Sequence, residues 1–185
     1  MDIDRRAFLR GRRPRRLIAP PRPPWALNEP VFQQACNRCG DCIVACPSGL
    51  LTQGGGGFPE ADFSRSHCTF CADCAQACAN ASRRISPKRQ PALSFSPDRP
   101  PWLLQAKIGA ACLPRRGVLC RSCDEHCEAG AIRFPPRVGG PAQPVIEASF
   151  CTGCGECVAS CPAQAISMQP GVPQPLSPAL EEHPS

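Results

Sequence analysis

The chain has 185 residues, of which 16 are Cys, 24 are Pro and 15 are Gly, and about a third of it is apolar once the cysteines are set aside. Such a composition excludes the core of an ordinary globular enzyme, so disulfides or bound metal are expected to hold the fold together. The net charge is +6, and no run of 18 apolar residues that could cross a membrane is present, so we expect a soluble protein without a membrane span.

The N-terminal segment, residues 1–29, is basic and rich in proline. Residues 1–16 contain seven Arg against two Asp, a local net charge of +5. Like-charged, proline-rich sequence is typical of disordered tails, and such a tail can also order on a partner; composition leaves both possibilities open. If the tail docks a partner, the candidate residues are Arg5, Arg6, Arg10, Arg12 and Arg13.

The first eleven residues, MDIDRRAFLRG, resemble a twin-arginine export signal. The apolar segment of such a signal is missing, because GRRPRRLIAPPRPPW follows and contains no longer apolar run than LIAPP. We therefore expect the protein to remain in the cytoplasm.

The sixteen cysteines fall into four groups of four along the chain. Groups one, two and four have the spacing C-x2-C-x2-C-x3-C of bacterial 4Fe-4S ferredoxins, whereas seven residues separate the first two cysteines of group three. A 4Fe-4S cluster has four irons that each need one thiolate, so sixteen cysteines predict four such clusters. The predicted ligands are Cys36, Cys39, Cys42 and Cys46 in group one, Cys68, Cys71, Cys74 and Cys78 in group two, Cys112, Cys120, Cys123 and Cys127 in group three, and Cys151, Cys154, Cys157 and Cys161 in group four.

Two other uses of cysteine fit the sequence less well. Zinc sites usually need two pairs of cysteines separated by a dozen or more residues, whereas here all four cysteines of a group arrive together. A disulfide scaffold needs an oxidising compartment and usually a signal peptide. The three histidines are not expected to be ligands because no group lacks a cysteine, and no nucleotide-binding or hydrolase motif is present, so we do not expect an enzyme.

Helix geometry is expected to differ between the groups. Pro47 and Pro162 follow the last cysteines of groups one and four, where proline suits the first turn of a helix. Ala79 and Glu128 stand at the same place in groups two and three. These two groups still supply four sulfurs each, so the substitutions bear on their helices more than on their ligands.

The spacing between groups favours pairing of neighbours. Groups one and two start 32 residues apart, and Cys120 and Cys151 are 31 residues apart. The segments PSGLLTQGGGGFPEADFSRSH and EAGAIRFPPRVGGPAQPVIEASF lie between the paired groups, and each predicts a β-hairpin. We therefore expect an α+β fold of two tandem ferredoxin-like modules with little regular secondary structure, over residues 30–86 and 103–170, with a Pro-rich linker at 87–102 and a disordered tail at 171–185.

Within a module, the fourth cysteine of each group is expected to reach the neighbouring cluster, as in two-cluster ferredoxins. An alternative that stays open nests group one with group four and group two with group three. The crossed pattern predicts the sets Cys36, Cys39, Cys42, Cys78; Cys46, Cys68, Cys71, Cys74; Cys112, Cys120, Cys123, Cys161; and Cys127, Cys151, Cys154, Cys157.

Bound clusters would change the charge of the protein. Each oxidised cluster with its four thiolates contributes roughly −2, so four clusters would bring the net charge from +6 to about −2. Basic charge is the electrostatic requirement for nucleic-acid binding, so we expect no nucleic-acid partner.

Several segments together carry a family resemblance. RPPWALNEPVFQQACNRCGDCIVACP, the split third group CLPRRGVLCRSCDEHCEAGAIRF and the closing CTGCGECVASCPAQAIS, with the Arg-rich start, resemble the NapF ferredoxin-type proteins. The likeness spans nearly the whole chain, and the split third group is its most specific part. The resemblance implies a cytoplasmic four-cluster accessory protein that binds the immature catalytic subunit of the periplasmic nitrate reductase before export and assists its maturation.

Two functions of different class remain open. In one, the protein binds the immature subunit and supplies electrons or cluster material. In the other, it is a general ferredoxin-type carrier that passes electrons from a donor to a reductase as its redox partner.

Overall fold

The computed structural model describes residues 21–171. Residues 1–20 and 172–185, which are parts of the predicted tails at 1–29 and 171–185, lie outside the described residues, and with them the five candidate docking arginines. None of the helices in the described part of the chain is long and apolar enough to cross a membrane.

The first module begins with a capped helix and a short hairpin. Helix α1 (Glu29–Ala35) starts after Asn28, whose side chain accepts a hydrogen bond from the Val31 amide, as an N-cap residue does. Helix α2 (Asp41–Val44) follows, and β1 (Leu51–Gln53) pairs antiparallel with β2 (Pro59–Ala61) across a 3-10 turn at Gly55–Gly57. The first predicted hairpin is confirmed.

Helix α3 (Asp73–Ile85) carries most of the second cysteine group and is the longest helix of the described chain, with 13 residues. No proline follows Cys78, so nothing interrupts the helix there. In the other three groups the helix that holds the third cysteine has four residues. The expected difference in group two is therefore present, whereas group three, which also lacks the proline, keeps the short form.

Residues on both sides of the first module pack onto it. Trp25 is 4% exposed and Leu93 is 1% exposed, and an isolated antiparallel bridge joins Ala26 to Leu93. The Trp25 amide donates a hydrogen bond to the Pro101 carbonyl. Residues 21–28 are thus packed against the module, although they fall in the predicted tail 1–29, because the indole and two prolines bury themselves against an apolar surface there.

Arg22 ties this entry segment to the hairpin and to α1. Its guanidinium forms ion pairs with Glu29 at 2.6 Å and Glu60 at 3.7 Å, and it lies over the rings of Phe32 and Phe58. Phe32 is fully buried, so the Arg22 guanidinium packs directly on the apolar core of the first module.

The second module is framed by a pair of strands from its two ends. Strand β3 (Leu104–Ile108) pairs antiparallel with β6 (Ile166–Pro170), in register from Leu104 with Pro170 to Ile108 with Ile166. Between them lie a 3-10 helix at Leu113–Arg116, helix α4 (Ser122–Glu125), strands β4 (Ile132–Arg133) and β5 (Val145–Ile146), and helix α5 (Glu156–Ala159). Strands β4 and β5 pair antiparallel, which confirms the second predicted hairpin.

Residues 21–171 form an α+β fold with short elements, and their buried side chains form two clusters. One cluster surrounds Phe32, Leu50 and Leu93, and the other surrounds Ile132 and Ile166. Cysteines contribute to both clusters, so the core is arranged around the thiols.

Candidate metal centres

The first centre, called site one, gathers cysteines from three helices. Cys36 caps the end of α1, Cys42 lies in α2 and Cys78 lies in α3. Burial, with a smaller contribution from the neighbouring thiolates of Cys78, Cys36 and Cys39, raises the pKa of the Cys42 thiol to about 12. Site one therefore consists of Cys36, Cys39, Cys42 and Cys78, the last of which comes from the other sequence group.

Site two takes three cysteines from group two and one from group one. Cys46 of group one joins Cys68, Cys71 and Cys74 of group two around one cavity, which is also lined by Trp25, Leu50 and Leu51. Burial, with a smaller contribution from neighbouring thiolates, raises the pKa of Cys74 to about 12 and that of Cys68 to about 11.

Cys46 differs from the other thiols of site two because hydrogen bonds surround it. Burial raises its pKa, but the Ser48 hydroxyl, with its oxygen 3.5 Å from the sulfur, and the backbone amides of Leu51, Leu50 and Ser48 outweigh burial. The pKa of Cys46 is therefore lowered, and its thiolate is stabilised before any metal binds.

The second module repeats this arrangement in sites three and four. Site three is a cavity lined by Cys112, Cys120, Cys123 and Cys161. Site four is a cavity lined by Cys127, Cys151, Cys154 and Cys157. Burial raises the pKa of Cys123 to about 11 and that of Cys157 to about 12, and the other thiolates of the same site contribute to each shift.

The seven-residue spacing between Cys112 and Cys120, five residues longer than in the other groups, does not displace the first cysteine of group three. The 3-10 helix at Leu113–Arg116 and the turn at Gly117 bring the chain back, so that Cys112, Cys120 and Cys123 line one cavity. The inserted residues Val118 and Leu119 point outward, and Leu119 is 85% exposed. The insertion therefore adds surface beside site three and leaves the cysteines together.

The thiol sulfurs also accept backbone hydrogen bonds that recur between groups. The amide four residues after the last cysteine donates to its sulfur in two groups, from Ala131 to Cys127 and from Ala165 to Cys161, both at 3.3 Å. Such N–H···S bonds stabilise thiolates and tune the potential of a cluster held by them. The same relation between Leu50 and Cys46 contributes to the lowered pKa described above.

These residues fit 4Fe-4S clusters in two respects. Each site offers four thiols in an apolar setting, where burial disfavours four uncompensated thiolates and a cationic iron core stabilises them. Backbone amides also donate to several of the sulfurs. Bound clusters supply one-electron redox chemistry.

The four sites are arranged in neighbouring pairs. Helix α2 packs against α3, and α4 packs against α5, so that each pair brings a buried cysteine of one site beside that of the next. The Cys42 thiolate contributes to the raised pKa of Cys74, and the Cys123 thiolate to that of Cys157. The structure thus has the adjacent, crossed grouping of the cysteines, and does not nest group one with group four.

The chain is similar to known iron–sulfur proteins over most of its length. The model of the 4Fe-4S dicluster domain matches residues 35–81 and 118–165, more than half of the chain. The ferredoxin-type protein NapF of Escherichia coli K12 is 41% identical over 84% of this chain and 87% of its own length. NapF of Haemophilus influenzae is 37% identical over 83% of this chain and 86% of its own, and the methylamine utilization ferredoxin-type protein MauM of Methylophilus methylotrophus is 32% identical over 77% and 66%.

These matches agree with the arrangement of the thiols. Two dicluster domains in tandem and sixteen cysteines in four sites provide for four 4Fe-4S clusters. The chain belongs to the NapF family of ferredoxin-type iron–sulfur proteins.

Proposed function

We propose that this protein binds the immature catalytic subunit of the periplasmic nitrate reductase in the cytoplasm, before export, and assists its maturation by redox chemistry or cluster insertion. The observation that carries the proposal is the 41% identity with NapF over 84% of the chain, together with the four cysteine sites. The sixteen cysteines of sites one to four are proposed as the ligands of the four clusters.

The exposure of the thiols supports a role in delivery at one end of the chain. Cys39 of site one and Cys71 of site two are exposed, whereas every cysteine of sites three and four is buried or half-buried. A partner can therefore reach the ligands of the first module more easily than those of the second. Under this proposal the first module exchanges electrons or cluster material with the immature subunit.

A specific observation favours the second candidate, a general electron carrier. The deepest thiol of each site lies in an apolar setting, and amides donate to several sulfurs, as expected of clusters that stay in place and carry electrons. The two functions differ in what leaves the protein. Maturation by insertion transfers iron, whereas carriage transfers electrons alone.

The basic N-terminal segment is the proposed docking element. Residues 1–16 carry a net charge of +5, and Arg5, Arg6, Arg10, Arg12 and Arg13 would meet an acidic surface on the partner. Deletion of residues 1–16 is expected to leave the iron content unchanged and to weaken binding of the purified immature catalytic subunit, with a larger loss at low salt.

The matched control is a chain that lacks residues 172–185, which removes a segment of similar length that contains Glu181 and Glu182 and no Arg or Lys. Unaltered binding after loss of residues 1–16 would contradict the docking role. To separate cluster insertion from electron transfer, the protein is loaded with 57Fe and incubated with the immature subunit. Labelled iron in the subunit supports insertion, and reduction of the subunit without label supports redox assistance or carriage.

A further inference from the structure

The surface on which the two modules meet includes a direct contact between a cysteine of site two and a cysteine of site four. The backbone amide of Cys68 donates a hydrogen bond to the carbonyl oxygen of Cys154 at 2.9 Å. Both residues are half-buried. One hydrogen bond thus connects the main chains of two proposed ligand residues that belong to different modules.

Aromatic packing holds this contact in place. The Phe63 and Trp102 rings meet edge to face with centroids 5.3 Å apart, and the Trp102 indole donates to the Gly153 carbonyl at 3.1 Å. Phe63 belongs to the first module and Gly153 to the loop of site four. The loop on either side of Cys154 is therefore fixed against the first module.

The two glycines of the site four loop make the approach possible. A methyl group built on Gly153 would come within 2.6 Å of the Leu104 carbonyl, and one on Gly155 would overlap the Phe63 ring. Gly155 is buried and has a φ of +82°. The Phe63 ring of the first module occupies the space beside Gly155, and the Leu104 carbonyl and the Trp102 indole occupy the space beside Gly153.

The apolar cores of the modules are continuous across this contact. Trp102, Leu104, Val158 and Met168 pack onto the buried cluster of the first module, and Val158 and Met168 also pack onto that of the second. The modules are thus joined by packing as well as by the chain between them.

We infer that the Cys68–Cys154 contact is an electron bridge, which makes the four sites one path in the order one, two, four, three. Within each module the paired helices place the sites side by side, and the bridge supplies the missing link between modules. An electron that crosses it oxidises the donor site by one electron and reduces the acceptor site by one, with no bond or proton exchanged. The two ends of this order are site one, which has the exposed Cys39, and site three, beside the exposed Leu119; site two also has an exposed cysteine, Cys71.

The inference rests on the proposed ligand sets, and it goes beyond the proposed function because it assigns a role to residues that bind no metal. Gly155, Phe63 and Trp102 are positioning residues: they hold Cys154 against Cys68. Long-range electron transfer falls steeply with distance, so loss of this packing should slow transfer between modules without removing iron.

The test compares Gly155→Ala with Gly40→Ala in the full holo protein. Gly40 occupies the same place in site one, before α2, with the same φ of +82°, but nothing lies within 4 Å of an added methyl group. Both variants carry the same backbone strain, and Ala72 holds that conformation naturally at a φ of +63° before α3. Only Gly155→Ala pushes the modules apart.

Three measurements are made on wild type and both variants, all purified anaerobically. Iron content is expected to be equal in all three. Hydrogen exchange by mass spectrometry should show that the amide of Cys68 exchanges about tenfold faster or more in Gly155→Ala and unchanged in Gly40→Ala. After reduction by dithionite, the EPR spectrum of Gly155→Ala should lose part of the spin–spin broadening that Gly40→Ala retains.

Protection of Cys68 and EPR broadening that are the same in Gly155→Ala as in Gly40→Ala would overturn the inference. If Gly155→Ala loses iron, Trp102→Phe replaces it, because that variant removes the donor to Gly153 and keeps an aromatic ring. Faster exchange of Cys68 and reduced broadening in Trp102→Phe support the bridge, and no change in either refutes it. Low iron in the wild type would instead contradict the proposed ligand sets, which separates the two failures.

Discussion

Exchange of the fourth cysteines between groups can be tested by removing two thiols at a time. In the first variant, Cys42→Ala and Cys78→Ala remove two thiols from site one, although they come from different sequence groups. In the second, Cys74→Ala and Cys78→Ala remove two thiols of the same sequence group, one from site two and one from site one. Each variant loses two of the sixteen cysteines.

The expected losses follow from the positions of these thiols. The thiolates of Cys78, Cys36 and Cys39 raise the pKa of Cys42, and Cys74 lines the cavity of site two with Cys46, Cys68 and Cys71. Four sites of four cysteines therefore predict that the first variant keeps about three quarters of the four-iron clusters, and the second keeps about half.

The assay is Mössbauer spectroscopy of protein labelled with 57Fe, which counts iron in four-iron clusters and separates it from three-iron products. The control is Val44→Ala, which changes an 89% exposed side chain between the cysteines of group one and should keep all four clusters. Were ligation confined within each sequence group, the first variant would lose half and the second a quarter. That reversed order would refute the crossed ligand sets.

Three further predictions concern stability and pH. Trp25→Ala should lower the free energy of unfolding of the holo protein by roughly 3 to 5 kcal/mol, because removal of the buried indole leaves a cavity beside site two. Val44→Ala, at an exposed position, should lower it far less. Unfolding in urea is followed by visible circular dichroism, and equal midpoints for the two variants would contradict the packing of residues 21–28. Removal of iron by ferricyanide and EDTA should unfold both modules, since the small cores depend on the clusters, and native far-UV circular dichroism in the apo protein would contradict this. Free thiols with a pKa of about 11 or 12, such as those of Cys68 and Cys157, are protonated at neutral pH, so iron must displace their protons when it binds. The fraction of iron that the protein retains against a chelator should therefore rise between about pH 6 and pH 8.5. A fall over that range would count against thiolate ligation.

The arrangement of the thiols could be predicted from the sequence because it depends on local spacing. Three cysteines at intervals of three residues curl around one site whatever surrounds them, and the hairpins follow from apolar runs on either side of turns rich in Gly or Pro. Ala79, which stands where proline stands in groups one and four, permits the 13-residue length of α3 but does not dictate it, because group three also lacks the proline and has a four-residue helix. Because the paired groups follow each other in the chain, the fourth cysteine of each group lies beside the first three cysteines of its paired group.

Packing between distant segments could not be predicted in this way. Strand β3 pairs with β6 from Leu104 with Pro170 onward, and the sequence of neither short strand indicates which strand it pairs with. Trp25 and Leu93 lie in sequence that reads as tail and linker because of its prolines, yet both are buried against the first module. Gly153 and Gly155 read as turn residues of the cysteine loop, and only the position of Phe63 and Leu104 shows what excludes a side chain there.

The most direct test of the account is the metal content of the protein. Protein purified anaerobically is analysed for iron, acid-labile sulfide and zinc on the same sample. Four 4Fe-4S clusters predict about sixteen iron and sixteen sulfide per chain with little zinc. Substantial zinc with little sulfide would contradict the redox account and leave a cysteine-rich structural protein.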